Sequence, residues 1–173
     1  MKWHVAQYLS LIRILLAPLC LIYLSDIPYK TEITIILGAV AGATDYFDGV
    51  LARKQGLTSS FGAVLDYTAD KVFVITALCI LSIAGKLAPW IVVFFVFREI
   101  VTMGMRLAAT EKDVTINASS IGKYKTTIIF FAMLFLLLDW HWHIYVFYFA
   151  ILLATVSFAE YFQKFAQAIK TVK

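Results

Sequence analysis

Four aspartates stand in apolar stretches of the chain, where charge is rare: Asp45, Asp48, Asp66 and Asp70. A carboxylate at the centre of a membrane helix costs about 2.5–3.5 kcal/mol on the insertion scale. Carboxylates at close quarters also repel one another unless protons or cations compensate them. Ligand sets made only of oxygen favour Mg²⁺, Mn²⁺ or Ca²⁺ over zinc or copper. The residue types therefore predict a site for two divalent cations, which would balance the four negative charges.

Helical spacing places the first two aspartates beside small residues. At about 100° per residue they share a stripe about 100° wide with a glycine and an alanine, and an arginine lies at its edge. These residues are Asp45, Asp48, Gly49, Ala52 and Arg53. The small residues leave room beside the carboxylates, and the guanidinium offers a planar fork for phosphate. The pattern indicates a metal site that holds a diphosphate.

The other two aspartates share one face of the next apolar segment. Gly62, Asp66 and Asp70 recur there at i, i+4 and i+8. A short connection makes the two segments antiparallel neighbours, so we expect both acidic faces to meet near one end of a helix bundle.

The alternative is a set of salt bridges inside the bundle. It would pair Asp45 or Asp48 with Arg53, and Asp66 or Asp70 with Lys71. Only two basic residues would then serve four acids, and ionisable residues inside a membrane are functional by default. We therefore favour the metal site.

A basic cluster is predicted farther along the chain. Arg98 and Arg106 are spaced i, i+8 on one helix face, and Lys123 and Lys125 follow Ser120, a plausible N-cap. A helix N-terminus with nearby cations is a good seat for an anion. The cluster suits the phosphate group of a small, water-soluble alcohol.

The alternative for this cluster is ordinary anchoring, in which basic side chains snorkel to lipid headgroups. That explanation suits Lys164, Lys170 and Lys173. Arg98 is half paired with the adjacent Glu99 in sequence but does not share a helix face with it, because neighbouring positions on a helix diverge.

Composition places both clusters in a membrane protein. Of 173 residues 62% are hydrophobic and 15% charged, with a mean hydropathy of +0.85, against roughly 45–50% and about 25% in a soluble domain. A water-soluble globule and a disordered chain are excluded. The net charge of +4 comes from residues that flank apolar runs, which favours anionic lipid headgroups and phosphate ligands over nucleic acid. Cys20 and Cys79 lie in apolar runs and form no metal or disulfide pattern.

Six apolar runs are each about long enough to cross a bilayer as a helix. They span residues 5–24, 33–53, 62–84, 88–109, 122–139 and 143–162. The short polar breaks between them predict an all-α polytopic bundle, one domain over residues 1–173, with a short interfacial segment at 1–8. Gly38 and Gly42 form a small-x3-small pattern that predicts close packing of the second span.

The distribution of basic residues predicts the orientation. With six spans both termini share one side, and only Lys30 and Lys86 fall on the other. The thirteen on the first side are Lys2, Arg13, Arg53, Lys54, Lys71, Arg98, Arg106, Lys112, Lys123, Lys125, Lys164, Lys170 and Lys173. Both termini and the acidic site are therefore expected at the cytoplasmic face.

The aspartate segment resembles the signature of a known enzyme family. Residues 45–53 read D-Y-F-D-G-V-L-A-R, followed by eight residues, Gly62, three residues, Asp66, three residues and Asp70. This is similar to the signature of the CDP-alcohol phosphatidyltransferases, D-x2-D-G-x2-A-R-x8-G-x3-D-x3-D, with every position filled.

The resemblance implies an integral membrane enzyme, in a bacterial inner or cell membrane, that uses a CDP-linked lipid and releases CMP. It implies that the four aspartates bind two divalent cations, Mg²⁺ or Mn²⁺, and that Asp70 acts as general base. It also implies a homodimer and a CDP site lined by Gly49, Ala52, Arg53 and Gly62.

Two further stretches are similar to those of one subgroup, the phosphatidylglycerolphosphate synthases. They are Arg98-Glu99 to Arg106 and Gly122-Lys123-x-Lys125-Thr126. The likeness implies CDP-diacylglycerol as donor and sn-glycerol 3-phosphate as acceptor, with the acceptor phosphate held by Arg98, Arg106, Lys123 and Lys125. The N-terminal pattern of that subgroup, N-x-P-N-x-L-T-x2-R, is kept at Arg13, whereas Ala6-Gln7 replaces Pro-Asn.

Two alternatives stay open. The same chemistry could use another acceptor, namely phosphatidylglycerol as in a cardiolipin synthase, inositol phosphate or serine. The chain could instead be a divalent-cation transporter, although the acids gather at one end of the predicted bundle and no acidic pathway continues through it.

Overall fold

The fold is all-α, as the apolar runs predict. A computed structural model describes residues 5–55, 60–110 and 120–171; within these ranges the side chains of 5–6, 46–55, 60–64, 66, 110, 120–125 and 169–171 lie outside the described part. The helices in chain order are α1 Val5–Leu19, α2 Lys30–Gln55, α3 Ser60–Ile83, α4 Pro89–Thr110, α5 Ser120–Leu137 and α6 His143–Thr171. Each predicted run corresponds to one of them.

The first predicted run does not stay α-helical to its end. A 3-10 helix over Cys20–Leu24 follows α1, and Pro18 lies one residue before the change. Proline has no backbone N–H, and its ring crowds the carbonyl four residues earlier. The tighter 3-10 geometry is common at such helix ends.

Two helices end in a left-handed residue that reverses the chain. Gly85 follows α3 with φ 73°, and Asp139 follows α5 with φ 52°. The N–H of Gly85 donates to the carbonyl of Ser82 (3.0 Å), and the N–H of Asp139 donates to that of Leu136 (3.2 Å). These bonds satisfy carbonyls that the helix ends would leave without partners.

The chain divides into two compact units, Met1–Val92 and Val93–Lys173. In the first unit α1 packs against both α2 and α3, and the 3-10 helix also contacts both. In the second unit α5 packs against α6. The two helices that carry the aspartates are thus both supported by α1.

Two helical stretches in the described part of the chain are long and apolar enough to cross a membrane, Gln7–Leu24 and His143–Ala168. Large apolar side chains such as Leu15, Phe97 and Leu107 are also left uncovered, which suits lipid better than water. Six membrane crossings stay a prediction.

Among the described residues, none packs closely on Gly38 or Gly42, whose spacing predicts close packing. A Cβ atom added at either position would meet no described atom within 4 Å. The buried residues nearby on α2 are Thr34 and Ala41. No other described helix therefore contacts α2 at these two glycines.

Candidate functional site

The predicted metal ligands lie on two helices of the first unit. Asp45 and Asp48 belong to α2, and Asp66 and Asp70 belong to α3. The side chain of Asp45 is 51% exposed and that of Asp70 is 19% exposed. The side chains of Asp48 and Asp66 lie outside the described residues, so the expected meeting of all four carboxylates stays a prediction.

Asp45 has a partner that the sequence did not indicate. An oxygen of its carboxylate lies 3.1 Å from Nη1 of Arg13, which extends from α1 and is only 1% exposed. A buried guanidinium requires an opposite charge, and here the charge comes from the neighbouring helix. The sequence carried one indication of this contact: Arg13 is the one charged residue in the apolar run 5–24. An ionisable residue in such a run is expected to pair with an opposite charge.

Asp70 pairs with the next residue of α3. Its Oδ2 atom accepts a hydrogen bond from Nζ of Lys71 at 2.8 Å, and that ammonium also lies 5.0 Å from the ring centroid of Tyr67. The salt-bridge alternative is therefore realised at Asp70. The bond from Lys71 uses one acceptor position of the Asp70 carboxylate, whose two oxygens offer about four.

The two described carboxylates suit a hard divalent cation. Both supply oxygen donors of the kind that Mg²⁺ and Mn²⁺ prefer, and both keep part of their surface accessible. Among the described residues, no group of three His, Cys, Asp or Glu side chains is gathered in a way that could hold a metal ion. Since two of the four predicted ligands are not described, this finding does not bear on the full set.

The predicted CDP site falls on the same two helices. Gly49, Ala52 and Arg53 belong to the last turns of α2, and Gly62 belongs to the first turn of α3. Their surroundings lie outside the described residues.

Arg98 is the centre of a buried polar network in the second unit. Its Nη1 atom bonds Oε1 of Glu99 at 2.5 Å, its Nε donates to the carbonyl of Ala154, and its Nη2 donates to Oγ of Ser157, the latter two at 3.3 Å. Arg98 and Glu99 pair although adjacent positions do not share a helix face. Both side chains are long and both are buried, so they turn toward one another although their Cα–Cβ bonds diverge.

This network joins α4 to α6. Three nitrogens of the Arg98 guanidinium are engaged by the protein, which favours a supporting role over the predicted contact with the acceptor phosphate. Sequence reasoning missed Ala154 and Ser157, because a carbonyl and a lone serine on an apolar helix carry no recognisable spacing.

The remaining residues of the basic cluster are only partly described. Arg106 is half-buried near the end of α4. Lys123 and Lys125 lie in the first turns of α5, which begins at Ser120, and their side chains lie outside the described residues. Their predicted contact with an acceptor phosphate stays a prediction.

A sequence model of the CDP-alcohol phosphatidyltransferase family matches residues 3–159. This range includes the whole aspartate motif, reaches into both compact units and extends over most of α6.

Curated relatives share about a third of their residues with this chain. It is 33% identical over 144 residues to a CDP-diacylglycerol–glycerol-3-phosphate 3-phosphatidyltransferase of Cereibacter sphaeroides, covering 79% of this chain and 65% of the relative. Proteins of the same name from Bacillus subtilis and Shigella flexneri are 34% and 32% identical. The alignments cover 79% and 91% of this chain, and 75% and 88% of those relatives. The match to the Cereibacter protein thus spans slightly less than two thirds of that protein's length.

Proposed function

Because this chain belongs to the CDP-alcohol phosphatidyltransferase family, we propose that it transfers the phosphatidyl group of CDP-diacylglycerol to sn-glycerol 3-phosphate. The products would be phosphatidylglycerol phosphate and CMP. The observation that carries the proposal is the complete aspartate motif over residues 45–70, within a family match that covers most of the chain. The names of the relatives supply the donor and the acceptor.

In the proposed reaction, the hydroxyl oxygen of the acceptor attacks the phosphorus that carries the diacylglycerol. The bond from that phosphorus to the CMP oxygen breaks, and CMP leaves with the electron pair. Asp70 takes the hydroxyl proton as the new bond forms, which is general-base catalysis. Divalent cations held by the aspartates would stabilise the negative charge on the diphosphate and on departing CMP. The rest of the rate enhancement comes from positioning.

We assign the donor nucleotide to the small residues of the motif and to Arg53. Gly49, Ala52 and Gly62 carry no side chain beyond Cβ, so the diphosphate can approach the backbone closely. Arg53 can bind phosphate oxygens with two parallel hydrogen bonds. This assignment rests on the match of each residue to the family signature.

The acceptor phosphate is assigned to Arg106, Lys123 and Lys125, with Arg98 as the fourth member of the cluster. Lys123 and Lys125 stand in the first turns of α5, where the helix dipole favours an anion. Arg98 is already engaged by Glu99 and α6, so we expect its contribution to be mainly the support of α4.

We place the enzyme in the membrane with its site and both termini in the cytoplasm. The support is the membership of an integral membrane family, two helices able to span a bilayer and the bias of basic residues toward one side. Labelling of single cysteines introduced at Lys86 and Lys164 in Cys20→Ser/Cys79→Ser protein tests it. Only the residue-164 position should react from the cytoplasmic side.

We also expect a homodimer, on the family resemblance alone. Native mass spectrometry of the purified protein measures the state directly. A monomer with full activity would contradict this expectation and leave the reaction unaffected.

A panel of acceptors with labelled CDP-diacylglycerol tests the function. The purified protein should release CMP with sn-glycerol 3-phosphate, and much more slowly with phosphatidylglycerol, inositol phosphate or serine. Activity with one of those acceptors and none with glycerol 3-phosphate would contradict the acceptor and keep the reaction class. Transport of Mn²⁺ into liposomes without CMP release would contradict the reaction class itself.

A further inference from the structure

Arg13 occupies an unusual position for a residue with no place in the proposed reaction. It lies within Gln7–Leu24, a stretch long and apolar enough to cross a membrane, and is among the largest fully buried side chains of the described residues. A side chain that is 1% exposed cannot touch a substrate. Any effect on the reaction must therefore pass through a residue that it contacts.

One such residue is Asp45. Nη1 of Arg13 lies 3.1 Å from Oδ1 of Asp45, within the range of a charge-assisted hydrogen bond, while 51% of the Asp45 side chain stays exposed. The carboxylate is thus held by a buried cation, although about half of its side chain lies at the surface. Arg13 and Asp45 also join α1 to α2, two helices that pack against one another.

The burial of Arg13 distinguishes this contact from the ion pair described between Lys71 and Asp70. Lys71 is the sequence neighbour of Asp70, and its flexible side chain is 19% exposed. Arg13 instead reaches Asp45 from a different helix and is enclosed by protein, so it cannot swing away without disrupting its surroundings. Two further polar residues of α1, Gln7 and Ser10, are buried as well.

We propose that Arg13 is the positioning residue of Asp45. It fixes the orientation in which the half-exposed carboxylate would meet a divalent cation. The inference deepens the proposed function and rests on it, since it takes Asp45 to be a metal ligand. Hydrogen-bonded partners of ligating carboxylates are a general feature of metal sites, and their replacement typically weakens metal affinity or activity by about 10–100-fold.

Binding of Mn²⁺ to the purified full-length chain in nanodiscs tests the proposal without substrate. Electron paramagnetic resonance of free Mn²⁺ gives the dissociation constant for the wild type, Arg13→Gln and Arg13→Lys. We expect a 10–100-fold weaker affinity for Arg13→Gln. Arg13→Lys keeps the charge and a donor, so it should recover part of the loss. Lys164→Gln removes an exposed basic residue of α6 and should bind Mn²⁺ as the wild type does.

A second comparison shows whether the effect passes through Asp45. In Asp45→Asn protein, adding Arg13→Gln should weaken Mn²⁺ binding no further, because contacting residues that act together are not additive. Thermal unfolding without metal identifies variants that fail to fold. If Arg13→Gln does not fold, the Mn²⁺ affinity of Arg13→Lys is compared with that of the wild type instead.

Three results would overturn the inference. The first is an unchanged Mn²⁺ affinity in folded Arg13→Gln protein. The second is a tighter affinity, which would show that Arg13 competes with the cation. The third is an equally large loss of Mn²⁺ affinity when Arg13→Gln is introduced into Asp45→Asn protein. A wild-type chain that binds no Mn²⁺ would instead remove the metal site from the proposed function, and this inference with it.

Discussion

Nζ of Lys71 lies 2.8 Å from Oδ2 of Asp70, so the proposed general base has a cation directly beside it. The two residues are adjacent on α3, and each side chain is 19% exposed. The pair places a positive charge where the acceptor would give up a proton and where the diphosphate would gain charge. The carboxylate and its neighbour therefore need separate tests, since each could affect turnover for a different reason.

Replacement of Asp70 by asparagine should abolish turnover and spare donor binding. The amide cannot take the acceptor proton, and general-base catalysis typically contributes 10²–10⁴-fold, so we expect CMP release to fall at least 100-fold. CMP release and equilibrium binding of CDP-diacylglycerol are the two measurements. Asp26→Asn changes an exposed aspartate outside the motif and serves as control. Activity within a few-fold of the wild type would remove Asp70 as base.

Replacement of Lys71 by glutamine should have a much smaller effect. The ammonium neither takes the acceptor proton nor supplies a metal ligand, so we expect a loss of less than roughly tenfold in rate, about 1.4 kcal/mol of activation free energy. Initial rates with saturating donor and acceptor measure it. If Lys71→Gln lost as much activity as Asp70→Asn, the ammonium itself would have to act on the substrates.

Arg98 and Arg106 should respond differently to replacement by glutamine. Removing one partner of a buried, hydrogen-bonded pair costs about 3–5 kcal/mol, so Arg98→Gln should lower the free energy of unfolding by an amount of that order. Loss of the weaker bond in Ser157→Ala should cost about 1 kcal/mol. Arg106→Gln should instead raise the KM for glycerol 3-phosphate with little change in stability.

Denaturation by SDS titration gives the stabilities, and initial rates give the KM values. A stable Arg98→Gln protein with a raised acceptor KM would restore Arg98 as a ligand of the acceptor phosphate. It would also show that its bonds to Glu99 and α6 add little to stability.

The positions of the helices follow closely from the apolar runs, because burial in lipid demands long, uninterrupted apolar segments. The exceptions have local causes. The first run changes from α-helix to 3-10 helix at Cys20, two residues after Pro18, and α6 continues to Thr171, well beyond the predicted 162. Hydropathy predicts only the segment that crosses the bilayer. Residues with high helix propensity, such as Ala, Gln and Lys, can continue the helix beyond that segment.

The contacts of the charged residues follow far less closely from the sequence. Spacing on a single helix predicts which residues share a face, and so it groups Asp45 with Asp48. It carries no information about which helix packs opposite, so the bond from Arg13 to Asp45 and the bond from Arg98 to Ser157 emerge only from tertiary packing.

Removal of divalent cations should stop the reaction reversibly. If the carboxylates hold Mg²⁺ or Mn²⁺, treatment with EDTA should reduce CMP release to background, and either ion should restore it. Ca²⁺ prefers longer bonds and more ligands, so we expect it to restore little. Full product formation in EDTA after prolonged dialysis would contradict a metal-dependent mechanism.

Replacement of Lys125 by alanine should weaken use of the acceptor more than binding of the donor. Lys125 stands in the first turns of α5, where a lysine adds its charge to that of the helix N-terminus. A charge-assisted hydrogen bond contributes about 1.5–3 kcal/mol, so the KM for glycerol 3-phosphate should rise roughly 10–100-fold. Lys164→Ala, which removes an exposed lysine of α6, should leave it unchanged. Equal losses for both substrates in Lys125→Ala would assign the residue to the donor, and equal effects of the two variants would indicate anchoring to headgroups.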